Sequence, residues 1–255
     1  MATDGLPLLL RSFGLTTMAG MWEETLACAE RENWGYARLL RQLCESEAQD
    51  RRERRTQRLL KAARLPDGKT LGNLNEKLLP AKLRRLLPTR LEGHFVERAE
   101  NVLAFGLPGR GKTHLVCALG AELIQRGYTV HFTPAYALVQ RLLVAKQGLG
   151  LERELRRLDS FDAIIIDDIG YVQQTRDETE VLFTLLAERY ERRSVVITSN
   201  LVFSQWDRIF KDPMTTAAAI DRIIHHCVIL ELNGTSYRAD AAKARMPQAT
   251  ESATV

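Results

Sequence analysis

The spacing of apolar positions divides the chain into two textures. Up to about residue 66 they recur at helical spacing, as at Met18, Met21, Trp22 and Leu26 and again at Leu39, Leu40 and Leu43, and no run reads as a strand. A third helical segment follows over 51–64 and stops at Leu65-Pro66. Residues 67–100 read as a connector of short helical pieces broken by Pro80 and Pro88. From Asn101 onward, continuous apolar runs alternate with amphipathic stretches. Strands are predicted over 101–105, 128–132, 163–168, 194–200 and 228–232, and helices over 114–124, 135–147, 177–192 and 217–226. Unbroken apolar strands separated by helices imply a parallel sheet covered on both faces. The expected architecture is α/β: a small N-terminal helical domain over 1–66, an α/β domain over 67–245, and a small polar tail over 246–255 expected to be disordered.

Composition narrows the class without choosing a function. With 45% hydrophobic and 27% charged residues in 255, the chain reads as a soluble globular protein with room for one sizeable core. A net charge of +4 suits a nucleic-acid partner but does not by itself indicate one. Cys28, Cys44, Cys117 and Cys227 form no C-x-x-C pair, which argues against a zinc or disulfide framework and suits a reducing compartment. The run Leu6-Pro-Leu-Leu-Leu10 is too short for a signal segment, and no apolar run approaches a membrane span. A cytoplasmic protein with no membrane partner is expected.

The candidate chemistry begins after the first strand. Gly106-Leu107-Pro108-Gly109-Arg110-Gly111-Lys112-Thr113 fits G-x-x-x-x-G-K-[ST]. Glycines allow a loop whose amides turn inward around phosphates. Lys112 can then reach the β- and γ-phosphates, and the Thr113 hydroxyl can hold Mg²⁺. The following helix, starting at His114, puts its N-terminus under the phosphates. The bland alternative is a Gly-rich turn with a surface lysine.

A second element lies 54 residues beyond Thr113, where Ile164-Ile-Ile-Asp167-Asp168 ends a strand in two acids. In a doubly wound sheet these sit at the edge that carries the phosphate loop. Asp167 is the candidate metal ligand and Asp168 the candidate group for orienting and deprotonating water. Alone, such a pair is also what a solvated strand end looks like. Asn200 ends the next strand beside the acids and is placed to hold the attacking water or touch the γ-phosphate; the alternative is a loop-starting amide. By spacing alone, Arg222 and Arg238 read as surface arginines. His225 and His226, adjacent on a predicted helix, diverge by about 100° and make no metal pair. His94, His114 and His131 read as structural.

The segment over 51–64 carries seven basic residues and one acid, with charge all round. Arg51, Arg52, Arg54, Arg55, Arg58 and Lys61 could neutralise phosphates of double-stranded DNA without reading its bases. A solvated helix or an acidic protein partner are the alternatives.

Taken together, these residues resemble the IstB-like ATP-binding proteins, which help insertion-sequence transposases, within the AAA+ ATPases of the bacterial helicase-loader clade. The resemblance runs from about Ser12 to Arg238. It is carried by Gly14-Leu-Thr-Thr-Met18, Leu59-Leu-Lys-Ala-Ala-Arg-Leu-Pro66, the phosphate loop with His114, Ile166-Asp-Asp-Ile-Gly-Tyr171, Glu188-Arg-Tyr-Glu-Arg-Arg193 with Thr198-Ser-Asn200, Trp206, and Asp221-Arg-Ile-Ile-His-His226. It implies an AAA+ P-loop NTPase that binds ATP and Mg²⁺, assembles as a ring or helical oligomer on DNA, and recruits and stimulates a transposase, with hydrolysis resetting the assembly. Arg222 would be an arginine finger acting in trans, and Arg238 a second sensor. A helicase loader and a nucleotide-gated scaffold with negligible hydrolysis are the alternatives. The chain departs from the wider pattern at Arg110, where a small or neutral residue is usual. It also has only 23 residues after Leu232 (255 − 232), so no separate C-terminal lid is expected.

Overall fold

A computed structural model of the chain describes residues 5–170, 175–202, 205–206 and 213–233. Five strands form one parallel sheet: β1 (Asn101–Phe105), β2 (Val130–Pro134), β3 (Ala163–Ile169), β4 (Ser194–Ser199) and β5 (Cys227–Glu231). Their order is β2-β3-β4-β1-β5. The insertion of β4 between β1 and β3 brings three strand ends side by side at one edge, and those three ends carry the candidate chemistry.

Alternate strand residues serve opposite faces, as pleating requires. Val102, Ala104, Ala163, Ile165 and Val196 meet Leu115, Leu119 and Leu123 of α6 (Lys112–Gln125). Leu103, Ile164, Ile166, Val195 and Ile197 meet α7 (Ala135–Gln147) and α9 (Arg176–Arg189) on the other face. The expected two-sided cover is therefore present. Between α7 and β3 lies α8 (Leu151–Asp159), which the strand rhythm does not announce. Its Leu151, Leu155 and Leu158 fall on one helical face and join the second cluster.

Element ends differ from the pattern reading where side chains or turns intervene. The second strand starts at Val130, not 128, because Thr129 is tied down: its amide and hydroxyl both donate to the Asp162 carboxylate, at 2.9 and 2.8 Å. Helix α10 (Pro213–Ile224) begins earlier than 217 and stops before the two histidines.

The chain divides into two compact units, Met1–Arg58 and Leu59–Val255. The first contains α1 (Leu6–Ser12) and α2 (Thr16–Arg31). The basic segment is not a separate helix: it is the second half of α3 (Tyr36–Ala63). Nothing in 44–50 breaks helical geometry, so the two segments fuse. Within this unit the buried Glu47 accepts from the amides of Thr17 and Met18 at 2.8 and 3.0 Å, capping α2 from outside. Among the described residues no helix is long and apolar enough to cross a membrane.

Candidate functional site

The loop after β1 is shaped by backbone constraints. An added Cβ at Gly106 would stand 2.6 Å from the Leu232 carbonyl oxygen, because Leu232 donates its amide to Phe105 at 2.7 Å and holds β5 against the turn. Gly111 has φ 84° and is the N-cap of α6, so the first helical amides open toward the loop. The Lys112 ammonium is buried and bends back over the loop, donating to the carbonyls of Gly106 at 2.6 Å and Leu107 at 3.2 Å.

Across from the loop, β3 carries one extra residue against β4 between Ile166 and Ile169. This bulge falls on the acid pair and re-aims it. Asp168 takes φ 63° there. The Thr198 hydroxyl fills the gap in the ladder: it accepts the Asp168 amide at 2.7 Å and donates to Asp167 Oδ1 at 2.7 Å. The Thr113 hydroxyl lies 2.9 and 3.1 Å from the two oxygens of Asp167. Loop hydroxyl and strand carboxylate are thus brought together, as a hard cation with oxygen ligands requires. Asn200 Oδ1 is buried and has no hydrogen-bond partner among the described residues.

A cleft of about 310 Å³ lies over these groups. Pro108, Gly109, Arg110, Gly111, Lys112, Thr113 and His114 line it from the loop, and Asp168 and Asn200 from the strand ends. Arg110 therefore faces the cleft. Leu107 contributes only its carbonyl, since its side chain is exposed. His114 does more than pack: its Nε2 sits 2.9 Å from the Thr70 carbonyl, docking the connector on the loop. That contact places Lys69 and Leu74 in the wall of the cleft, and no pattern in the sequence marks either. Thr198 enters the sequence reading only within Thr198-Ser-Asn200, with no role that spacing assigns to it.

The remaining predicted groups lie elsewhere. Arg222 is in the last turn of α10, beside the start of β5, at the edge of the sheet opposite the cleft. Its guanidinium stacks 4.7 Å from the Phe183 ring centroid, and its buried Nη1 has no hydrogen-bond partner among the described residues. Arg238 lies outside the described residues. The divergence expected of His225 and His226 does not hold: both follow the helix in a turn, and their rings are 4.2 Å apart. In the basic segment, Arg51 reaches Glu47 and the Gly14 carbonyl, each at 2.9 Å. Arg54 pairs with Asp50 and donates to Thr16 and Thr17. Arg52, Arg55, Arg58 and Lys61 are exposed along α3. The arginines of the 188–193 stretch brace the start of the sheet. Arg189 is 1% exposed and donates to the carbonyls of Leu158, Phe161 and Ser194. Burial pushes its pKa down to about 10, which leaves it charged at neutral pH.

Residues 9–244 match the family described as IstB-like ATP binding protein. The chain belongs to that family. It is 42% identical over 238 residues to a protein of Sinorhizobium fredii described as an insertion sequence ATP-binding protein, covering 93% of this chain and 80% of the relative. It is 36% identical to the ATP-binding protein of insertion sequence IS21 from Pseudomonas aeruginosa, covering 91% and 88%. Among solved structures, the DnaC helicase loader aligns with a TM-score of 0.52 at 16% identity, over 60% of this chain and 89% of that one. DnaA from Aquifex aeolicus aligns with a TM-score of 0.56 at 18% identity, over 71% and 55%. These likenesses make the fold that of the AAA+ P-loop NTPases, which is the fold this family member was expected to have.

Proposed function

We propose that this protein is an ATP-hydrolysing AAA+ regulator that assembles on double-stranded DNA and recruits and stimulates the transposase of an insertion sequence in the cytoplasm. The observation that carries the reading is the meeting of Thr113 and Asp167 at 2.9 Å beside the glycine-rich loop that lines the cleft. The family and the relatives' insertion-sequence names support the client.

The residues fit ATP and Mg²⁺. The loop amides and the α6 N-terminus bind phosphate, and Lys112 exchanges its two carbonyl partners for phosphate oxygens. Thr113 and Asp167 would hold the metal, which would supply Lewis acidity at the phosphate oxygens. Asn200, with its buried unpaired oxygen, orients the water, and Asp168 takes its proton. Arg222 serves the site of a neighbouring subunit, where its cation stabilises charge in the transition state. Arg238 is assigned the role of a second sensor arginine. Arg52, Arg55, Arg58 and Lys61 contact DNA phosphates, while Arg51 and Arg54 chiefly hold α2 in place.

The test uses full-length protein with ATP and duplex DNA. Lys112→Ala should lose nucleotide-dependent DNA binding. Asp168→Asn should still bind ATP but hydrolyse it at least about a hundredfold more slowly, the scale of a lost general base. Normal turnover in Asp168→Asn would put the base elsewhere.

A further inference from the structure

We infer a transition-metal site, of the Zn²⁺ class, formed by Glu191, His225 and His226 at the edge of the sheet opposite the nucleotide cleft. The donor atoms of the three side chains all lie within 4.8 Å of one another. His225 Nδ1 is 3.6 Å and His226 Nε2 is 3.7 Å from the same oxygen, Oε1 of Glu191. Ligand atoms around a tetrahedral Zn²⁺ with bonds of about 2.0–2.1 Å are separated by about 3.4 Å. The two His–Glu separations are within a few tenths of an ångström of that value. Two imidazoles and a carboxylate are a borderline-soft set that prefers Zn²⁺ to Mg²⁺ or Ca²⁺. All three side chains are about half exposed, which leaves a fourth position for water.

The backbone around the cluster is built rather than incidental. Glu191 has φ 54°, an uncommon conformation for a residue with a side chain. The turn that holds it there is fixed by Arg192 and Arg193, whose amides both donate to the Arg189 carbonyl at 3.0 Å. The buried Asn101 joins that turn to the histidine turn: its Oδ1 accepts the Val195 amide at 2.9 Å, its Nδ2 donates to the Ile223 carbonyl at 3.1 Å, and its own amide donates to the His226 carbonyl at 2.7 Å. The Tyr190 hydroxyl lies 2.8 Å from His225 Nδ1 and is hydrogen-bonded to Glu191, so it must swing off that nitrogen for a metal to take its place.

The position gives the site a consequence. His225 follows Arg222 by one helical turn, and a metal would clamp the strand-entry turns before β4 and β5 together. Such a clamp fixes the end of the helix that bears Arg222. The binding itself does not depend on the ATPase reading, and its test is made without nucleotide.

Full-length protein, freed of metal by chelation, is titrated with ZnSO₄ in a calorimeter. One Zn²⁺ per chain is expected. Glu191→Gln and His226→Ala should each weaken binding by at least about tenfold, while His94→Ala, at a separate surface histidine beside Glu97, should leave it unchanged. Melting curves of the metal-free variants check folding; should His226→Ala fail to fold, the conservative Glu191→Gln decides. Absence of Zn²⁺ binding, or equal binding by wild type and Glu191→Gln, overturns the inference.

Discussion

At the scale of single residues, the Thr198 hydroxyl shows how much one atom organises. It takes the amide of Asp168 and gives its proton to Asp167, so both acids are positioned through it. Thr198→Val keeps the shape and removes that link. ATP hydrolysis measured by phosphate release should fall at least about tenfold, roughly the 1–3 kcal/mol of an amide left unpaired, with ATP binding retained. His131 illustrates a different residue-scale effect. It is 2% exposed and stacked on Phe161, and burial, then Arg141 and Arg157, push its pKa down to about 4. The unfolded chain protonates His131 near its ordinary value of 6.5, so the stability from keeping it neutral is full above that pH and is lost as pH falls toward 4. Urea unfolding should show wild type losing about 2 kcal/mol more than His131→Gln between about pH 7 and pH 5.

At the scale of elements, the phosphate loop depends on a strand far away in sequence. Gly106 is required not by a turn type alone but by the backbone of Leu232 pressing on it. Gly106→Ala should displace the end of β5 and cost about 2–4 kcal/mol of stability in denaturant unfolding, with loss of ATP binding; a stable, ATP-binding variant would show that the turn has room. The β3 bulge is likewise an element-level device, since the extra residue aims the acids only in the context of its pairing with β4. The Glu188-Arg-Tyr-Glu-Arg-Arg193 stretch, one of those that carry the resemblance, has a packing role. Arg189 closes three carbonyls at the entry to the sheet, and Arg193 pairs with Asp162 at 2.6 Å.

At the scale of the whole molecule, the decisive fact is that Arg222 and the cleft occupy opposite edges of one sheet. Strands of about five residues separate those edges by roughly 17 Å, beyond the reach of an arginine side chain. If Arg222 is an arginine finger, it is expected to serve the site of another subunit. Arg222→Ala and Lys112→Ala should each be inactive alone, and mixing them should restore part of the ATPase, because mixed interfaces pair an intact loop with an intact finger. No recovery at any mixing ratio would remove Arg222 from the reaction.

The sequence by itself determined the parts that local chemistry dictates. A G-x-x-x-x-G-K-T loop between an apolar strand and a helix, and a strand ending in Asp167-Asp168, are specified by neighbours in the chain. So is the alternation of strands and helices that yields a two-faced parallel sheet. Tertiary structure alone decided the rest. The apposition of Thr113 with Asp167, the role of Thr198, the entry of Lys69 and Leu74 into the cleft and the convergence of Glu191 with His225 and His226 all arise between segments remote in sequence. Strand order and register set these meetings, and spacing along one chain does not encode which residues of two separate segments will face each other.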